Sequence, residues 1–189
     1  MSPPNILPAR MKWDVETFSS LATNEAFFEK RLELLDGDIL EMAPIGARHM
    51  DLVARLTYLM GRAASDQHTV SVQNGIRLNA KTELYPDVAI LRQSPDTPIR
   101  ELPTPAEVLL IIEVSDSTLK YDRKVKTPRY LEAGIPEVWI VNATNFSVEI
   151  QRLNESAQIM KHGTIFLATT PKIRIDIDAL FIKRQFLSP

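Results

Sequence analysis

The chain has 189 residues, 44% of them apolar and 24% charged, with a formal net charge of -2. That composition fits one globular domain able to bury a substantial core. It contains no cysteine, which excludes disulfides, thiolate metal sites and cysteine nucleophiles, and its mild acidity argues against tight nucleic-acid binding through the whole surface.

Residues 1–12 read as a loose arm, because Pro3, Pro4 and Pro8 remove donors and favour extended backbone. No basic segment followed by an apolar one is visible there, and runs such as Val108–Ile112 are too short to cross a bilayer. A cytoplasmic protein without a membrane partner is the expectation, folded as one domain over 13–189.

Trp13 to Lys30 reads as helical, with Val15, Phe18, Leu21 and Ala22 forming a rough apolar face. Two short β-like runs then flank Asp36-Gly37, a strong hairpin signal. Glu33 alternates with Leu32 and Leu34, and taken alone it reads as an exposed strand carboxylate. Ile45 to Ala64 gives the longest helical pattern, with Leu52, Val53, Leu56, Leu59, Met60 and Ala63 at three- and four-residue steps. His49 falls in its first turn, where a lone histidine is more often a packing or capping residue than a ligand.

Thr69 to Asn79 reads as one strand with a bulge or turn at Asn74-Gly75. A second run spans 83–92, and Pro86 places Asp87 where that strand begins. The loop over 93–106 is proline-rich, and its Pro95-Asp96 is a decoy because no strand follows it. Glu107–Val114 is a continuous apolar run broken at Glu113, which suits a central strand covered on both faces. An acid there is expensive to bury without a partner, so Glu113 is the least ordinary carboxylate in the chain.

A helix then begins between Tyr121 and Thr127 and ends near Gly134, with Pro128 in its first turn. Asp122, Lys126 and Tyr130 are four apart and share a face if the helix starts early enough. Over 120–130, Lys120, Arg123, Lys124, Lys126 and Arg129 face Asp122 alone. On charge alone such a cluster is more often a solvated helix start than a phosphate-binding patch. Glu137–Asn142 reads as a buried strand, Phe146–Leu153 and Ile159–Leu167 as antiparallel strands around Asn154 and Gly163, and Ile175–Phe181 as a short strand or helical turn.

Asp87 and Glu113 thus sit at the ends of two strands with lysines close behind. Two carboxylates and a cation suit a hard divalent metal facing a phosphodiester. From residue 45 to 142 the order is helix, three strands, helix, strand, an α/β arrangement with helices covering a mixed sheet. The αβββαβ order resembles the restriction-endonuclease-like core of the PD-(D/E)xK nucleases. More narrowly, the chain resembles the Uma2 family, common in cyanobacteria, over residues 13–182. The matching pieces are 33–38, His49, 85–88, 113–118, Asp122 through Lys126 to Tyr130, and 133–139.

The resemblance implies a Mg²⁺- or Mn²⁺-dependent endonuclease acting on nucleic acid, DNA above RNA. Asp87 and Glu113 would hold the metal with the Val114 carbonyl, and Glu33 would join them through a water on the metal. His49, Asp122 and Tyr130 would orient the site. One departure stands out. The lysine expected two residues after the second acid is Ser115 here, which implies that Lys126, or secondarily Lys124, supplies the cation. The alternative reading is a catalytically silent module of the same fold that binds nucleic acid or protein. A metal-dependent hydrolase of another phosphate ester also fits these residues. A homodimer is plausible, since cutting two strands benefits from two sites. Three scattered histidines and no cysteine offer no zinc-ligand spacing.

Overall fold

A computed structural model describes residues 11–182 apart from Thr23, Phe28 and Pro95. Most of the expected arm, and Pro95 of the decoy pair, lie outside the described residues. Lys12 is not loose: its Nζ pairs with Asp38 at 2.7 Å. Gly37 beside it has φ +81, and a side chain there would press on Lys12 and the Trp13 carbonyl. The hairpin turn therefore needs glycine for conformation and for space.

The first helix is shorter than its pattern suggests: α1 covers Val15–Ala22, and a 3-10 turn follows at Glu25–Phe27. β1 (Leu32–Leu35) and β2 (Asp38–Glu41) form the expected hairpin. α2 (Ala47–Ala63) buries Leu52, Val53, Leu56 and Met60 along one stripe.

The next two expected strands each divide. Thr69–Asn79 becomes β3 (Thr69–Val72) and β4 (Ile76–Asn79), and 83–92 becomes β5 (Thr82–Leu84) and β6 (Val88–Leu91). The breaks fall at Gln73–Gly75, where Gln73 takes φ 54, and at Tyr85-Pro86-Asp87. Gly75 lets the chain pass the Tyr85 ring, since a Cβ there would lie 3.2 Å from its Cζ. The two β4–β5 segments belong to a separate four-stranded sheet, ordered β2-β1-β5-β4. Period-two patterning cannot reveal that a chain has changed sheets.

β7 (Val108–Ser115) is buried along its whole length and β8 (Val138–Asn142) likewise. They pair in parallel, Glu113 opposite Ile140. The connection runs through α3 (Leu119–Tyr121), a π-helical turn (Asp122–Lys126) and α4 (Thr127–Glu132). A crossover of this kind is what parallel strands require. β9 (Ser147–Gln151) and β10 (Gln158–Met160) extend the main sheet, ordered β10-β9-β8-β7-β6-β3 and antiparallel apart from β7–β8. The expected Ile159–Leu167 strand also divides at Gly163. β11 (Thr164–Phe166) pairs instead with β12 (Arg174–Asp176), and α5 (Ile177–Leu180) follows. The αβββαβ core is thus α2, β3, β6, β7, α4 and β8, with β4 and β5 diverted to the second sheet.

The main sheet separates two cores. One face carries Val88, Ile90, Leu110, Ile112 and Val114 against α2 and α5. The other carries Ala89, Leu91 and Ile111 against Tyr130, Leu131 and the second sheet. Alternation along β7 sends Glu113 to the Ile111 side, toward α4. Among the described residues no helix is long and apolar enough to cross a membrane.

Candidate active site

Three elements deliver carboxylates to one pocket of about 550 Å³. β1 supplies Glu33, the start of β6 supplies Asp87 and β7 supplies Glu113; they are 1%, 6% and 3% exposed. Glu33 is therefore no surface acid. β1 belongs to the second sheet, and the face toward which Glu33 points packs against the crossover after β7, where Tyr121 and Lys126 meet it.

Asp87 is set by the end of the sheet. Val88 pairs with Ile112, so β7 runs on past β6, and the Val114 N–H donates to Asp87 Oδ2 at 2.8 Å. His49 Nε2 lies 2.9 Å from the same oxygen. Gln73, the residue at which β3 breaks, donates its backbone N–H to the Asp87 carbonyl at 3.1 Å, and its amide approaches Oδ1 at 3.4 Å. Glu113 Oε1 takes the Tyr130 hydroxyl and the Lys126 ammonium, each at 2.7 Å. Lys126 is 4% exposed, and its Nζ also lies 3.5 Å from Glu33 Oε2.

The π-helical turn explains this convergence. A π turn closes with an i→i+5 bond, seen here from the Thr127 N–H to the Asp122 carbonyl. It stacks Tyr121 and Lys126 on one side, one π turn apart, and Tyr130 follows one α turn later. The Tyr121 hydroxyl donates to Glu33 Oε1 at 2.7 Å while Lys126 faces the other oxygen. Asp122 is clasped by Ser115 Oγ at 2.7 Å and Thr118 Oγ1 at 2.6 Å. Ser115, where the simplest pattern has lysine, thus holds the carboxylate at the start of the turn that carries Lys126. Lys124 is exposed and does not line the pocket. Tyr121, Thr118 and Gln73 were not legible as site residues, because an α-helical spacing rule misses a π turn and a strand rule misses a break.

Among the described site residues, four buried carboxylates surround one buried ammonium. Burial raises Glu113 to about 8, against the pull of Lys126 and with added repulsion from Asp122 and Asp87. Asp122 is raised by burial too, opposed by its bonds from Thr118 and Ser115. Burial alone would lower Lys126, but Glu113 and Glu33 outweigh it, so the ammonium is held well above its ordinary value. Tyr130 and Tyr121 are raised by burial and by their neighbouring acids, which keeps both hydroxyls protonated as donors.

This negative surplus, made of oxygen donors, fits a hard divalent cation. Mg²⁺ uses one or two carboxylates and keeps solvent in its other positions. Asp87 and Glu113 meet that need, and Glu33 Oε2 is buried with no hydrogen-bond partner. Among the described residues no group of three or more His, Cys, Asp or Glu side chains is placed as a ready-made metal cage. The pocket's donors are mainly carboxylate oxygens with no thiolate, the chemistry of Mg²⁺ or Mn²⁺ rather than of zinc.

A mixed sheet with a helical crossover and acids at its strand ends places the molecule in the class of nuclease-fold α/β proteins. The fold is similar to a crystal structure from Anabaena variabilis described as a "putative nuclease belonging to DUF820", with a TM-score of 0.74 and 12% identity, covering 92% of this chain and 98% of that one. The family model of Uma2, described as "Putative restriction endonuclease", matches residues 15–177, and the chain belongs to that family. None of the curated proteins matches it.

Proposed function

We propose that the protein is a metal-dependent endonuclease that hydrolyses phosphodiester bonds of DNA. The observation that carries the reading is the meeting of Glu33, Asp87, Glu113 and Lys126 in one pocket, with Lys126 2.7 Å from Glu113. Asp87 and Glu113 would hold the ion, with the Val114 carbonyl beside them. A bound Mg²⁺ or Mn²⁺ supplies Lewis acidity toward the phosphoryl group and makes water a stronger nucleophile.

The chain's own groups do the rest. Lys126 presents a charge that stabilises the phosphate oxygens as negative charge builds on them. Tyr130 and the Val114 N–H fix one oxygen each of Glu113 and Asp87, and His49 restrains Asp87 further, as partners behind metal ligands do. Glu33, steadied by Tyr121, offers an oxygen that accepts no hydrogen bond and faces Lys126 only at 3.5 Å, so it can orient the attacking water by accepting its hydrogen bond. Asp122 anchors the π turn through Ser115 and Thr118, so it acts on Lys126 through position.

The test is nicking of supercoiled plasmid, and cleavage of single-stranded DNA and RNA, with Mg²⁺ or Mn²⁺. Wild type is compared with Asp87→Ala and Lys126→Ala. Metal-dependent cleavage lost in both variants is the expected result. Cleavage kept in Lys126→Ala would move the cation elsewhere. A folded wild type inert on all three substrates would favour the silent binding module.

A further inference from the structure

The reactive groups lie deep, and this bears on what can reach them. Glu33, Asp87, Glu113 and Lys126 are each 6% exposed or less. Their pocket, about 550 Å³, falls within the roughly 300–1,000 Å³ that holds one small ligand. Its mouth is tied on two sides. Arg48 at the start of α2 pairs with Asp116 beyond β7 at 3.2 Å, and Arg31 reaches the Ala43 carbonyl at 3.4 Å, bracing the segment that leads into α2.

A duplex is a stiff rod with a persistence length of about 50 nm, so it can offer such a recess only a phosphate at its surface, with its bases held in the stack. A lone strand can place one nucleotide there. The rim suits that guest. Arg31 lines the pocket and makes no salt bridge among the described residues, while Ile45, also in the lining, is 39% exposed. A guanidinium bonded to a backbone carbonyl and not to a carboxylate, with an exposed apolar side chain in the same lining, provides a phosphate partner and a surface for an unstacked base.

We infer that the site takes an unpaired nucleic-acid strand, a single-stranded segment or an open end, with Arg31 holding the phosphate next to the one attacked. The inference rests on the nuclease reading for cleavage and is independent of it for binding. It also removes the need for two sites, and with it the reason to expect a homodimer.

One oligonucleotide is compared as a single strand, as a blunt duplex and as a duplex with an unpaired tail. Cleavage with Mg²⁺ is measured for wild type. Binding is measured by fluorescence anisotropy for wild type with a chelator and for Asp87→Asn. Single strand and tail are expected to be cut about a hundredfold faster than the blunt duplex, because a paired base must first be opened. The single strand is also expected to bind more tightly. In Arg31→Gln that binding weakens, and the slope of log K against log salt falls by about 0.7, the loss of one phosphate contact.

Equal cutting of the blunt duplex would overturn the inference while leaving the nuclease reading intact. If nothing is cut, tighter single-strand binding still supports the inference and the nuclease reading alone fails. Equal binding of both forms, or of neither, overturns it. An unchanged salt slope in Arg31→Gln would remove Arg31 from its assigned role.

Discussion

Two buried glutamates on neighbouring strands, Glu113 on β7 and Glu137 just before β8, are 3% and 1% exposed, yet they are solvated by the protein in different ways. Glu137 accepts from the Trp139 indole N–H, from Arg152 Nε at 2.9 Å and from the Ala168 backbone at 3.2 Å. Its charge is matched and its oxygens are occupied. Glu113 shares one lysine with Glu33, stands near Asp87 and Asp122, and opens onto a pocket. Burial alone therefore does not mark a functional acid. An acid left with too little positive charge around it does, because the missing charge has to arrive from outside.

Replacing the matched acid should break the fold. Glu137→Ala leaves Arg152 and the Trp139 N–H facing an empty place. Arg152 is 27% exposed and keeps Glu155, so the cost lies at or below about 3–5 kcal/mol, the figure for breaking a fully buried pair. Thermal or urea unfolding would register the loss. A near-neutral result would erase the contrast. Glu113→Gln should do the reverse, because the amide can still accept from Tyr130 and Lys126 while relieving the crowding of acids. Its stability should match or exceed that of wild type, and its metal-dependent cleavage should drop by about 10²–10³-fold, the scale for losing one key polar group.

A pH titration sharpens the comparison. Glu113 is held protonated up to about 8, against 4.5 for an ordinary glutamate. Between those values the unfolded chain binds fewer protons than the folded one. The contribution is complete below pH 4.5 and is lost as pH rises toward 8, at up to about 1.4 kcal/mol per pH unit. Unfolding of the metal-free protein should show that slope, and Glu113→Gln should flatten it. A slope that persists in the variant would assign the proton elsewhere.

The smallest effect belongs to Tyr121→Phe. It removes one donor from Glu33 and should cost about 1 kcal/mol or less in stability, with a modest fall in cleavage rate. An unaltered rate would leave Glu33 positioned by Lys126 alone.

The same contrast shows what the sequence carried. Asp87 and Glu113 were legible because a proline starts one strand and a charge interrupts the apolar run of the other. Their meeting place followed from the helix–strand order. The burial of Glu33 was not legible, since alternation tells that it faces away from Leu32 and Leu34 but not that the crossover after β7 packs onto that face. The division of 69–79 and 83–92 between two sheets was hidden for a related reason: Gln73–Gly75 and Tyr85–Asp87 look like a bulge and a strand start until long-range pairing redirects them. Lys126 rather than Lys124 is buried because a π turn sets the phase of that face, and hydrogen-bond phase leaves no trace in residue spacing.

On the proposed function, a divalent ion held with Asp87 supplies the charge missing around Glu113. Calorimetric titration of Mn²⁺ into wild type, Asp87→Ala and Glu137→Gln tests it most directly. Saturable binding is expected of wild type and of any folded Glu137→Gln, and its loss is expected in Asp87→Ala. Equal binding by Asp87→Ala, or none by folded wild type, would contradict it.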